Sequence, residues 1–159
     1  MNTNLPIGKN FTGRNKMEPL TIAMQNYLET IFDLSRQSTT ICQASQSDSR
    51  TGVRVSDIAS HLDVSKASVN NAMNVLAKFG FVSNEKYQEI YLTDLGKETA
   101  ALLEGKHKII KTLFTDIIGI PENTANEDAC AIEHIISHEA VQQIHEYLIS
   151  QGINVIVWE

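Results

Sequence analysis

Cys130, Glu133 and His134 stand close together in "NEDACAIEHIISHEA", the stretch from Asn126 to Ala140. A thiolate, a carboxylate and an imidazole together suit a borderline transition metal such as Fe(II), Mn(II), Co(II), Ni(II) or Zn(II), whereas Ca(II) and Mg(II) prefer all-oxygen shells. At about 100° per residue on a helix, Glu133 falls about 60° to one side of Cys130 and His134 about 40° to the other. All three therefore project within one arc. Ala129, Ile132 and Ile136 take the adjoining face and would anchor it to a core. The plainer reading is a small buried cysteine beside a solvated Glu–His pair, and spacing alone leaves both open.

Other donors lie further away. His107 sits on an apolar stripe with Leu103, Ile110, Phe114 and Ile117, where a histidine is more often a hydrogen-bonded core residue than a ligand. Asn26 and Glu29 form an i, i+3 pair on the first helix and alone would read as surface residues. His138 and His145 fall on what reads as a solvated helix face. "HIISH" lacks the glutamate of the H-E-x-x-H signature, which argues against hydrolysis. Cys42 lies in a polar linker and has no evident partner in a site.

The elements that must position these groups are read from period and caps. Residues 1–19 form a loose arm with Pro6, Gly8, Gly13 and Pro19. A first helix spans about 20–37, with Tyr27, Ile31 and Leu34 on one face, and a Ser/Thr/Gln-rich linker follows over 36–52. In "RVSDIASHLDVSKASVNNAMNVLAKFGFV", Ser56 can cap a short helix that buries Ile58, Ala59 and Leu62. Ser65 can cap a second with Val69, Ala72, Met73, Leu76 and Phe79 inward, and Gly80 stops it. Two β-prone stretches, 81–82 and 90–93, flank a polar tip and predict a hairpin. Helix, helix, hairpin is a winged helix-turn-helix. Thr93 caps a long helix to about Gly119, a further helix covers about 126–136, and Ser137 starts a last one that Gly152 ends. The expected fold is mainly α: an N-terminal winged helix-turn-helix domain over 20–98, an all-helical domain over 99–151, and a tail over 152–159 that is either a short strand or extended.

The second helix of the reader head carries Ser65, Lys66, Ala67, Ser68, Asn70 and Asn71 on its outer face, short or basic groups of the kind that reach phosphates and base edges. Arg54 and Lys86, at the wing tip, could contact the backbone of a duplex. The bland alternative is a helical hairpin inside any small α-helical core.

Charge divides the chain the same way. The net charge is −6, yet residues 1–50 carry five Lys/Arg against four Asp/Glu and 51–97 carry five of each, while 98–159 carry three against ten. The last third would repel nucleic acid and suits cations; the middle leaves room for a basic face. Two cysteines are too few for a disulfide framework. No apolar run approaches the roughly 18–20 residues that span a bilayer, and the N-terminus lacks a signal-like apolar stretch. The expectation is a cytoplasmic protein with no membrane partner.

These segments resemble the diphtheria-toxin-repressor family of iron- and manganese-dependent transcription regulators, over about 24–151. The resemblance rests on "NYLETIFDL", the reader-head segment, "IYLTDLGKETA", "KHKIIKTLFTDIIGI" and "DACAIEHIISHE", and is to the two-domain form without the SH3-like domain. It implies a homodimer that binds double-stranded operator DNA and acts on no small-molecule substrate. It also implies a metal centre at Cys130, Glu133 and His134 with a further ligand from Asn26, Fe(II) or Mn(II) as the ion, and Zn(II), Co(II) or Ni(II) as surrogates. Glu29 matches a manganese-branch ligand, Cys130 the iron branch, and His107 both. Lys111 and Asn126 stand where the iron branch has an acidic residue and a histidine in its ancillary site, so one ion or two per subunit could share Glu29, His107, Cys130, Glu133 and His134. The implied function is metal-dependent repression of metal-homeostasis genes. The rivals are a winged-helix regulator answering to a non-metal ligand and a small zinc metalloenzyme.

Overall fold

The computed structural model describes residues 20–41, 52–85 and 89–155. Its elements run α1 (Ile22–Ile41), β1 (Val53–Arg54), α2 (Val55–His61), α3 (Lys66–Lys78), β2 (Val82–Glu85), β3 (Glu89–Leu92), α4 (Asp94–Thr112), α5 (Glu122–Glu133) and α6 (His138–Ser150). A π-helical stretch, Leu113–Ile118, prolongs α4 until Gly119 turns left-handed at φ 79° and ends it.

α1 runs four residues beyond the expected end at 37, so the start of the anticipated linker is helical; Gln37 to Ile41 contain no glycine or proline to stop the helix. Residues 1–19 and the remainder of the linker, 42–51, lie outside the described residues. In the reader head, α2 starts two residues earlier than a Ser56 cap requires. Arg54 is its N-cap and makes no side-chain bond, and Ser56 Oγ instead bonds Asp57 Oδ1 at 3.1 Å. α3 is capped as expected: Ser65 Oγ accepts from the Ser68 amide at 3.1 Å. Between them Asp63 adopts φ 52°, a left-handed residue that lets the chain reverse in the few positions of the turn.

Leu28, Ile31, Ile58, Val69, Leu76 and Ile90 are fully buried in one cluster, each contributing roughly 1.5–3 kcal/mol. Phe79, expected inward, is 40% exposed at the C-cap where α3 ends, and Phe81, two residues on, is the phenylalanine buried in the head cluster. The sheet has the order β1-β3-β2 and is antiparallel throughout, with Val53 opposite Ile90 and Val82 opposite Leu92. β1 was not legible beforehand, being only two residues long.

Thr93 caps α4 through a bond accepted from the Gly96 amide, and its hydroxyl donates to the Gly80 carbonyl at 2.6 Å. A Cβ at Gly96 would run into the carbonyl oxygen of Phe81, so only glycine lets α4 seat this closely on the wing.

α5 begins at Glu122, one turn before the expected Asn126, because Pro121 serves as its N-cap residue. Ser137 caps α6 as predicted. His145, expected on a solvated face, is 9% exposed, and its Nε2 lies 3.3 Å from the Val155 carbonyl. Ile153 and Val155 pack beside Ile109, Val141 and Leu148, so the tail as far as Val155 is an irregular segment tucked against α6; residues 156–159 lie outside the described ones. No described helix is long and apolar enough to cross a membrane.

Candidate metal centre and nucleic-acid interface

Three helices meet around a cleft of about 610 Å³. α1 supplies Asn26 and Glu29, α4 supplies His107, and α5 supplies Cys130 and Glu133; all five line it. His134, 4% exposed in its side chain, does not line the cleft itself but adjoins it through Glu133 and Glu29. One donor atom from each of Cys130, Glu133 and His134 falls within 4.8 Å of the others. That is slightly wider than the roughly 3–4 Å ligand separations implied by metal–ligand bonds of about 2.0–2.3 Å. The donor set is therefore near a first-row dication's shell and would need only a small contraction to close.

Glu133 is the hub. Its side chain is 2% exposed, a rare position for a carboxylate without a compensating partner. Its Oε2 lies 2.9 Å from His107 Nδ1, and its Oε1 lies 3.4 Å from His134 Nε2. Glu29 Oε2 approaches the same nitrogen at 3.9 Å. Burial, reinforced by the charge of Glu133, pushes the Glu29 carboxyl up to about 8. Burial likewise pushes the Cys130 thiol up, with Glu133 and Glu29 adding to the effect. In both cases burial is the larger cause, and the neighbouring carboxylates add to it.

His107 has both ring nitrogens engaged, since Nε2 lies 3.1 Å from Asn126 Oδ1. The bond to Glu133 raises its pKa against the opposing effect of burial. Its contact with the donor group is through Glu133. Asn26 is exposed on α1 and borders the cleft, while its neighbour Gln25 reaches His134 Nδ1 with Oε1 at 2.9 Å. Sequence reasoning passed over Gln25. Its i, i+4 relation to Glu29 was the available signal, because the two share a helix face. Lys111 bonds Glu122 at 2.9 Å and Asn126 bonds His107, so neither adds an anionic donor to the cleft. Asp33, one turn beyond Glu29, also has its pKa raised by burial and by Glu104.

The reader head presents its other face to solvent. Ser65, Lys66, Ala67, Ser68, Asn70 and Asn71 are all exposed, as is Arg54; Lys86 lies outside the described residues. Ser65 Oγ is committed to the cap and to Ser68 Oγ at 2.9 Å. Lys66 opens α3, whose first turn holds no acidic residue. A cation gains nothing from the positive end of a helix, so its placement suits an external anion.

A winged helix-turn-helix head joined to a helical half with a dication-shaped donor cluster defines the class: a DNA-binding regulator that senses a metal. The chain matches "Iron dependent repressor, N-terminal DNA binding domain" over residues 19–90 and "Iron dependent repressor, metal binding and dimerisation domain" over 93–150. It belongs to this family of iron-dependent repressors, which are transcriptional regulators and not enzymes. It is 28% identical over 126 residues to the HTH-type transcriptional regulator MJ0568 of Methanocaldococcus jannaschii, covering 79% of this chain and 92% of that one. Its fold is similar to that of the manganese regulator SloR (TM-score 0.63, 22% identity, 84% of this chain and 55% of that chain). The fold of T. acidophilum IdeR is similar as well (TM-score 0.62, 23% identity, 86% and 56%). The chain thus spans about half the length of those two structures.

Proposed function

We propose that this chain is a homodimeric, metal-dependent repressor in which Cys130, Glu133, His134 and Glu29 hold a divalent cation, with His107 holding Glu133 in place. The observation that carries the reading is the buried Glu133, placed between two imidazoles and facing a second carboxyl from α1. A bound dication would supply the positive charge that these donors lack. Glu29 is the group through which α1, and with it the reader head, senses the site. A dication held by Glu29 of α1 together with Cys130, Glu133 and His134 would offset the repulsion among these groups, tie α1 to α5 and hold the head at one angle to the helical half. His107 keeps Glu133 Oε2 occupied, leaving Oε1 directed at the site. Asn26, at the rim, is a neutral donor of lesser weight.

Fe(II) is favoured over Mn(II) because the set includes the soft sulfur of Cys130. The similarity in fold to a manganese regulator keeps Mn(II) as the competing ion, and Zn(II), Co(II) and Ni(II) serve as surrogates. In the DNA complex, Lys66, Ser68, Asn70 and Asn71 of α3 enter the major groove of double-stranded operator DNA, with Arg54 and Lys86 on the backbone. A coupling of about 1–3 kcal/mol between metal and DNA is enough to change occupancy many-fold, and linkage makes it reciprocal.

The test is a fluorescence-anisotropy titration of a labelled promoter fragment, run anaerobically with Fe(II), Mn(II), Zn(II) or chelator, on wild type and on Cys130→Ala and Glu29→Ala. Metal should tighten binding in wild type, Cys130→Ala should abolish the response, and Glu29→Ala should change the order of metals. Equal affinity with chelator present would overturn the reading in favour of a regulator answering to another ligand.

A further inference from the structure

We infer that Gln25 is a positioning residue for the metal centre: its carboxamide fixes the tautomer of His134 and ties that ligand to the opening of α1. The inference rests on the metal reading above and extends it to a residue outside the donor set.

The argument needs only donor and acceptor chemistry. Gln25 Nε2 lies 2.9 Å from the Leu20 carbonyl oxygen, which can only accept, so the amide nitrogen must be the atom turned toward it. This fixes the orientation of the carboxamide, which would otherwise be ambiguous. Its oxygen then faces His134 Nδ1 at 2.9 Å. A carbonyl oxygen cannot donate, so Nδ1 carries the hydrogen. In the neutral ring the lone pair is consequently on Nε2, the atom that looks toward Glu133 Oε1 and Glu29 Oε2.

Burial makes this constraint firm. With His134 4% exposed, water does not compete freely for Nδ1, and removing the Gln25 oxygen would leave a buried donor without its partner. The ring would then gain by moving its hydrogen to Nε2, where two carboxylates wait. Such a move removes the lone pair from the site.

The same carboxamide spans two parts of the molecule. Leu20 packs against the reader-head core, together with Met24 of α1. His134 caps the C-terminal end of α5, 109 positions along the chain from Gln25. His134, Gln25 and the Leu20 carbonyl form one hydrogen-bonded line from the ligand cluster to the head. Gln25 therefore acts on the centre by orientation, as an outer partner whose loss typically costs about 10–100-fold in metal affinity.

Long-range proton–nitrogen NMR of the metal-free, full-length protein reads the tautomer directly, and anaerobic competition titration with Fe(II) and Mn(II) reads affinity. Wild type should show His134 with hydrogen on Nδ1. Gln25→Leu should lose that signature and bind either ion about 10–100-fold more weakly. Gln25→Glu, which keeps an acceptor for Nδ1 but cannot donate to the Leu20 carbonyl, should recover the Nδ1 signature. A wild-type spectrum with hydrogen on Nε2 would overturn the inference without any variant. So would Gln25→Leu binding metal as wild type does. Should wild type keep hydrogen on Nδ1 but bind neither ion, the metal reading fails while the tautomer assignment stands, so the two failures are distinguishable.

Discussion

The reader head and the helical half solve the problem of burial differently. In the head, Leu28, Ile31, Ile58, Met73, Leu76 and Ile90 close on one another, and among the described residues no Asp, Glu, His, Lys or Arg is buried with them. In the helical half the buried apolar cluster is Ile109, Val141 and Leu148, and the interior also takes in Glu133 and His145. That half leaves Ile118, Ile135, Tyr147 and Ile149 between 45% and 73% exposed. The head thus buries apolar side chains against one another, while the helical half buries a carboxylate and an imidazole and leaves large apolar side chains on its surface.

The largest expected effect separates the halves at Glu133. Glu133→Gln keeps shape and removes charge, and it should weaken Fe(II) and Mn(II) binding by more than the roughly 100-fold upper end for an outer partner, measured by competition titration. Leu76→Ala in the head should cost roughly 2–5 kcal/mol in denaturant unfolding whether or not metal is present. If metal rescues Leu76→Ala as fully as wild type, the two halves unfold as one unit and the contrast fails.

A third prediction uses pH. Glu29 loses its proton near 8 in the folded chain but near its ordinary 4.5 when unfolded, so between these values the folded state binds more protons. Stability therefore falls as pH rises through that window. Asp33, raised by burial, acts in the same direction. His107, raised through its bond to Glu133, contributes stability below its ordinary 6.5 that is lost as pH climbs through its folded value. Melting of the metal-free protein should weaken from about pH 5 to about 8, and Glu29→Gln should flatten the profile. A profile unchanged by that substitution would sink the account of the cleft. The smallest effect belongs to Arg36, which reaches Glu104 of α4 with one nitrogen at 3.1 and 3.2 Å from the two carboxylate oxygens, in a largely exposed position. Arg36→Gln should cost about 0.2–1 kcal/mol by thermal melting and fade with salt.

What could be read beforehand follows from how local each signal is. Ser65, Thr93 and Ser137 bond an amide three residues on, so their caps were legible from neighbouring letters. The alternation of apolar residues placed α3 and the wing, and one arc of α5 gathered Cys130, Glu133 and His134. Phe79 and His145 were misassigned because helical phase says which face a residue occupies, not whether a distant segment covers it; Val155 closes over His145 from ten positions away. Gln25 was passed over for Asn26 for a related reason. The two are adjacent in sequence and differ by about 100° around α1, and only the packing of α5 decides which of them meets His134.

Gly96 carries a consequence for motion. Because α4 rests directly on the Phe81 carbonyl, and Thr93 grips both Gly80 and Phe81, the wing has no slack against the helix behind it. The nineteen residues of α4 make a rod about 28 Å long, so each degree of tilt about one end shifts the other by about 0.5 Å. A swing begun among the C-terminal helices would arrive at the wing as whole-body displacement, without a joint to absorb it.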